Sequence, residues 1–364
     1  MPIFFIILFV LYISGNIYIF FRGGQALAIQ SIGVKIIASL IFWGGASLFF
    51  ISFFCRNRQL QPALSQICHE VGTGWLIFTL YMVLLLLLFD LLRVINIRFQ
   101  YSFYVSLLLT ISLLSYGYYQ FKHPVTKVIN IDINKPVVGL PNTSLRIVAV
   151  SDIHLGYATN KKRLKDFVNS INAQHPDLIL IGGDLIDNSM IPVETQKMEE
   201  ELNQLKAPLG IYMVPGNHEY ISNIKACSQF LKKTPIHLLR DSTVVLPGNI
   251  QIIGRDDRYN RHRKSLQELT RGVDPENALI LLDHQPYELH ETVANAIDLQ
   301  FSGHTHHGQV WPLSLITDQL FEISYGYRKI GNSQIYVSSG LSLWGPPFRI
   351  GTDSELVVFD ITFK

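Results

Sequence analysis

Seven side chains that can bind a metal fall at short, motif-like spacings in the second two-thirds of the chain. They are Asp152 and His154 in SDIHLG, Asp184 in IGGDLID, Asn217 in PGNHEY, His284 in LDHQP, and His304 and His306 in SGHTHHGQ. Carboxylates, imidazoles and an amide without thiolate suit Mn²⁺, Fe or Zn²⁺ at a working site and argue against a structural zinc. The chemistry a divalent cation would supply there is activation of water, since a bound cation acidifies it. Singly, each residue has a plainer explanation: Asp152 or Asp184 as a helix cap, Asn217 as a turn residue, His284 as a satisfied histidine at a strand end. Capping and turn formation give no reason for all seven to fall at successive strand ends, so the conjunction favours a metal site.

The elements that must position these residues are legible beside them. Each motif follows a strand-like apolar run, namely RIVAV, DLILI, GIYMV, ALILL and DLQF, which places it at the carboxyl end of a strand. Open α/β sheets form their sites there. Between the runs, KKRLKDFVNSINAQ and VETQKMEEELNQL carry apolar residues at helical spacing. Residues two apart point the same way in extended backbone, which is the expected use of the DxH and HTH pairs. Gly183 and Gly216 are expected to let the backbone approach the metals closely.

Taken in order, DxH, GD, GNH[DE], a lone His and GHxH resemble the calcineurin-like metallophosphoesterases over roughly residues 144 to 364. GHTHHGQ, GRDD at Gly254 to Asp257 and LWGPPFRIG look most like the YkuE/YaeI-like branch of small bacterial phosphodiesterases. The resemblance implies a four-layer α/β/β/α sandwich and two divalent ions (Mn, Zn or Fe). One ion would take Asp152, His154 and His306, the other Asn217, His284 and His304, with Asp184 bridging. It further implies that His218 faces the leaving group as a proton donor or charge stabiliser, that a metal-bound hydroxide attacks, and that no covalent enzyme intermediate forms. Glu219 is a candidate to orient His218, or else a surface carboxylate. The chain departs from the branch at His307, where Gly is usual; if the position needs a positive φ, His tolerates it better than most. His307 is then an extra phosphate donor or, as the favoured reading, points to solvent.

Hydrophobicity is concentrated in the first third. Four apolar stretches, roughly Pro2 to Phe21, Gly33 to Phe54, Gly72 to Leu92 and Gln100 to Phe121, reach the ~20 residues that a bilayer core requires. The expected organisation is a membrane region over 1–123 with about four transmembrane helices and a metallophosphoesterase domain over 124–364. A cleavable signal peptide is disfavoured by the lack of a basic segment before the first stretch and by the three spans after it. Asp90, near the end of the third span, reads either as functional or as snorkelling to the interface. Orientation does not resolve: Arg56, Arg58, Lys122 and Lys127 on one side balance Arg22, Lys35, Arg93 and Arg98 on the other. Arg22 after the first span leans towards an extracytoplasmic catalytic domain in a multi-pass cell-membrane protein. Cys55, Cys68 and Cys227 define no disulfide framework.

A formal net charge of +2 gives no reason to expect a nucleic acid partner. The local run RDDRYNRHRK, with Arg255, Arg258, Arg261, Arg263 and Lys264, reads either as a solvated loop entering a helix near Lys264 or as a lip for a phosphate-bearing substrate or headgroup. Arg349 in PPFRIG is a further substrate candidate, or a partner for a nearby acid. The expected activity is hydrolysis of a phosphomonoester or phosphodiester, a lipid-linked phosphate among them. A non-catalytic membrane sensor or scaffold that binds a phosphorylated ligand is the alternative, though an intact ligand set with His218 opposes it. Transport is opposed by the lack of Gly- or Pro-broken span pairs. The sequence assigns no oligomeric state.

Overall fold

The computed structural model describes residues 2–55, 62–137 and 143–364. Contacts divide the chain into two compact units, Met1–Tyr119 with Gly345–Ile350, and Gln120–Trp344 with Gly351–Lys364.

The first unit is built on four helices: α1 (Pro2–Leu27), α2 (Ile32–Cys55), α3 (Pro62–Val94) and α4 (Ser102–Lys122). Three of them, over Phe5–Leu27, Ile32–Ser52 and Gln66–Val94, are long and apolar enough to cross a membrane. The expected fourth span forms as a 21-residue helix but is not among them. Ser102, Ser106, Thr110, Ser112, Ser115, Gln120 and four tyrosines dilute its apolar character. The helix α3 also begins earlier than its apolar core suggests, and Arg56 and Arg58 lie outside the described residues. Between α1 and α3, Asn16 Nδ2 donates to Thr79 Oγ1 at 3.2 Å, and Trp75 Nε1 donates to Asn16 Oδ1 at 2.8 Å. Such polar bridges tie apolar helices together where packing alone gives little preference. The Asp90 carboxylate accepts from Tyr18 Oη and pairs with Arg22.

The second unit carries two six-stranded sheets. The first has the order β1 (Val125–Ile133), β12 (Glu355–Phe363), β2 (Ser144–Val150), β3 (Leu178–Ile181), β4 (Ile211–Met213), β5 (Ile236–Leu238). From β2 to β5 it is parallel, while β12 runs antiparallel to β2. The second has the order β10 (Gly326–Ile330), β11 (Ser333–Val337), β9 (Leu299–Ser302), β8 (Leu279–Leu282), β7 (Gln251–Gly254), β6 (Ser242–Val245), with β7, β8, β9 and β11 parallel.

The alternation of side chains along β2 makes the layers. Ile147 and Ala149 pack with Ile252, Ile280, Leu299 and Phe301 of the second sheet. Val148 and Val150 pack on the other face with Leu164, Phe167 and Ile171 of α5 (Lys161–Asn172) and with Phe230 and Leu231 of α9 (Ile224–Leu231). Leu266 and Leu269 of α10 (Leu266–Thr270) cover Ile253, Leu279 and Leu281 outside the second sheet. Strands buried on both faces read as continuous apolar runs, which is why LILI and LILL carry no period. The order of layers is helix, sheet, sheet, helix. One expected helix is broken: VETQKMEEELNQL forms α6 (Ile191–Thr195) and α7 (Glu199–Leu202).

Candidate metal centre

The motif residues leave their strands at one end of both sheets. Asp152 and His154 follow β2, Asp184 follows β3, Asn217 and His218 open α8 (Asn217–Ile221) after β4, His284 follows β8, and His304 and His306 follow β9. The expected extended backbone at the paired motifs is not what forms. Asp152, His154, Asp184, His304 and His306 all have positive φ, between 48° and 73°. Left-handed non-glycine residues cost of order 1–3 kcal/mol each and cluster at functional sites. The chain turns sharply at each strand end, so each pair converges by turn geometry and not by strand alternation.

Among the described residues three groups of donors result. Asp152, His154 and His306 form the first, Asp184, His284 and His304 the second, and His154 with Asp187 and His218 the third. In the first, His154 Nε2 lies 3.1 Å from His306 Nε2 and 3.9 Å from Asp152 Oδ1, and His306 Nε2 lies 3.5 Å from Asp152 Oδ1. Ligand atoms about 2.0 to 2.2 Å from a shared ion sit roughly 3 to 3.5 Å apart, so this set fits a divalent cation. In the second, His284 Nε2 lies 3.2 Å from Asp184 Oδ2 without hydrogen-bond geometry, a buried nitrogen aimed beside the carboxylate and not at it. His304 Nδ1 lies 3.0 Å from Asn217 Oδ1. Asp184 Oδ2, of the second group, lies 3.2 Å from His284 Nε2 and 3.9 Å from His154 Nε2 of the first.

Outer contacts fix these donors. Gly182 O can only accept, so His284 Nδ1, 2.8 Å away, carries the proton and leaves Nε2 as the donor atom. Ser151 Oγ donates to Asp152 Oδ2 at 2.6 Å, and His304 N donates to both Asp152 oxygens at 3.1 Å. Gly183 has φ +95°, and a Cβ there would lie 2.6 Å from His284 Nδ1. A Cβ on Gly216 would lie 2.1 Å from Asp184 Oδ1.

Glu219 is neither at the surface nor on His218. It is fully buried and accepts from Asp184 N at 3.0 Å, Ile186 N at 2.9 Å and Gly216 N at 2.7 Å, tying two motif loops together. The partner of His218 is Asp187, which the sequence reading passed over although it stands in the same GDLID motif. Asp187 Oδ1 lies 3.2 Å from His218 Nδ1 and 3.5 Å from His154 Nδ1, behind both rings. His218 N also donates to Asp184 Oδ1 at 2.8 Å.

The electrostatics follow from burying several acids among several imidazoles. Burial pushes the Asp152 carboxyl up, only partly offset by His284. Burial pushes Asp184 the same way, but His284 and His218 outweigh it and hold it well below the usual carboxylate range. Burial pulls His218 down, yet Asp184 and Asp187 raise it to about 9. Burial and the nearby His284 lower His304 to about 3. Burial and Asp184 raise Glu219 to about 7.

The four substrate candidates are placed differently. Arg255 is buried, with Nη1 3.3 Å from Asp283 Oδ2 and 3.0 Å from Glu291 Oε2. Arg258 pairs with Glu288 at 3.2 Å and lies over the Tyr287 ring. Arg263 also pairs with Asp283. Three cations of the basic run are therefore paired with acids that lie beyond it in sequence, and the run leads into α10, which Ser265 caps. His307 has φ +48°, stacks on Tyr325 at a centroid distance of 4.9 Å, and lies 3.5 Å from Asp318, so it does not point freely to solvent. Arg349 is fully buried, and its amide donates to Gly117 O within the helical unit. Among the described residues, Cys68 and Cys227 are buried free thiols.

Comparison with known proteins gives one consistent result. The calcineurin-like phosphoesterase signature matches residues 145–308. A transmembrane protein with metallophosphoesterase domain from Danio rerio is 32% identical over 270 residues, covering 69% of this chain and 61% of the relative. An uncharacterized metallophosphoesterase of Aquifex aeolicus is 30% identical, covering 61% of this chain and 87% of the relative. YkuE of Bacillus subtilis is 29% identical, covering 68% and 89%. The chain spans about three fifths of the length of the first curated relatives that it matches. The signature falls on the segment that carries the clustered donors, the Aquifex relative is matched over most of its own length, and the chain belongs to the calcineurin-like phosphoesterase family.

Proposed function

We propose that this chain is a membrane-anchored phosphohydrolase that uses two divalent cations to cleave a phosphomonoester or phosphodiester. The observation that carries the reading is the place of Asp184 Oδ2 between the first two donor groups, 3.2 Å from His284 Nε2 and 3.9 Å from His154 Nε2. Asp152, His154 and His306 would hold one cation and Asn217, His284 and His304 the other, with Asp184 between them. The pair of cations would supply neutralisation of the phosphate oxygens and acidification of a water molecule. His218, set by Asp187, would face the leaving-group oxygen and hold the proton it needs. Three membrane-length helices in the same chain favour an ester presented at a membrane, a lipid-linked phosphate included. Manganese, zinc and iron all suit the donors.

The test is hydrolysis of a chromogenic phosphodiester and a phosphomonoester by the full chain in detergent with Mn²⁺ or Zn²⁺, beside Asp184→Ala. Metal-dependent turnover lost in the variant supports the reading. Stoichiometric metal with no turnover of soluble or lipid-linked esters would sink it in favour of a binding module.

A further inference from the structure

We infer that Trp344 forms a wall of the leaving-group subsite and selects esters whose leaving group carries an aromatic or other flat apolar body. The inference rests on the proposed function of the metal centre. Trp344 stands in LWGPP, a run whose preceding leucines, Leu341 and Leu343, are both buried in the core. Trp344 is instead 50% exposed, so its ring is not spent on core packing. The ring meets His218 edge to face, with centroids 6.3 Å apart and planes at 70°.

This placement is set by the same loops that carry the candidate ligands. Leu341 N donates to Ser151 O at 2.9 Å and Ser342 N to Asp152 O at 3.2 Å. Ser342 Oγ lies 2.7 Å from Thr159 Oγ1. Trp344 N donates to Gln309 Oε1 at 3.2 Å, and Gln309 N in turn donates to His306 O at 2.9 Å. A half-exposed indole held beside the histidine that faces the leaving group offers a π-face and apolar edge to whatever that group carries. A methyl leaving group has no face to pack on the indole; a fused aromatic one does.

The test uses the full chain in detergent, loaded with Mn²⁺, and measures binding of 1-naphthylmethylphosphonate and methylphosphonate by calorimetry to the native protein, Trp344→Ala and Trp344→Phe. These phosphonates are not cleaved, so the readout does not depend on turnover. The native protein is expected to prefer the naphthyl compound roughly 3- to 10-fold, the range of one aromatic pair in a partly wet site. Trp344→Ala should abolish that preference and leave methylphosphonate binding and manganese stoichiometry intact, and Trp344→Phe should keep most of it. Equal native binding of the two compounds, or a preference that survives Trp344→Ala, overturns the subsite while the metal centre stands. Native binding of neither compound overturns the proposed function itself, and the subsite with it.

Discussion

Replacing Glu219 with Ala should weaken the fold at the metal centre. The two carboxylate oxygens accept three backbone N–H groups: Oε2 from Asp184 and Gly216, Oε1 from Ile186. The side chain has no solvent exposure. Each buried donor left without an acceptor costs roughly 1 to 3 kcal/mol, so three cost roughly 3 to 9 kcal/mol. Water entering the vacated space can satisfy one donor, which brings the expected loss to about 2 to 6 kcal/mol. At about 2 to 4 °C per kcal/mol for a domain of this size, the melting midpoint should fall by roughly 4 to 24 °C. The assay is thermal unfolding of the full chain in detergent followed by tryptophan fluorescence, with Glu200→Ala as the control. Glu200 is surface-placed and pairs with Lys161 in an exposed contact that solvent screens. Glu219→Gln keeps one acceptor oxygen and should fall between. A Glu219→Ala midpoint matching that of Glu200→Ala would refute the claim that this carboxylate clamps the two loops.

Asp187→Asn keeps the shape but removes the charge behind His154 and His218, and should lower turnover or metal affinity about 10- to 100-fold; steady-state rates with bound metal counted would read it, and native values in both would remove Asp187 from the site. Gly216→Ala forces a methyl to within 2.1 Å of Asp184 Oδ1, and displacement of that oxygen by about 1 Å should cost on the order of 100-fold in rate; native-like turnover with native metal content would contradict this. Manganese at about 100 times its dissociation constant should stabilise the native chain by about 2.7 kcal/mol. That gain should vanish on chelation and be absent in Asp184→Ala; an equal gain in the variant would place the bound ion elsewhere.

The donor set was legible because its members are rare polar side chains interrupting apolar runs. SDIHLG, IGGDLID and SGHTHHGQ each stand at the end of a strand that is buried on both faces, so apolar length gave the strand and the polar break gave its end. Asp187 and Glu219 were harder to see for a different reason. Each acts through what lies behind a ligand, on a neighbouring loop, and no spacing in one dimension distinguishes a carboxylate that points at an imidazole from one that points at solvent. The helix prediction over VETQKMEEELNQL failed in the same way, since its apolar spacing is satisfied by two short helices packed on β3 as well as by one long one.

By itself the sequence determined the residue types that meet at the site, the order of the strands that deliver them and the presence of an apolar amino-terminal region, because composition and period are one-dimensional properties. Tertiary structure decided which donors share a cation position, because that depends on left-handed turns at Asp152, His154, Asp184, His304 and His306 that no apolar pattern encodes. It also decided the fate of the charged residues. Arg255, Arg258 and Arg263 read as a basic patch along the chain, yet Asp283, Glu288 and Glu291, distant in sequence, take up that charge in space. Charge along a chain adds, whereas charge in a fold is set by whichever opposite group packing brings within about 4 Å.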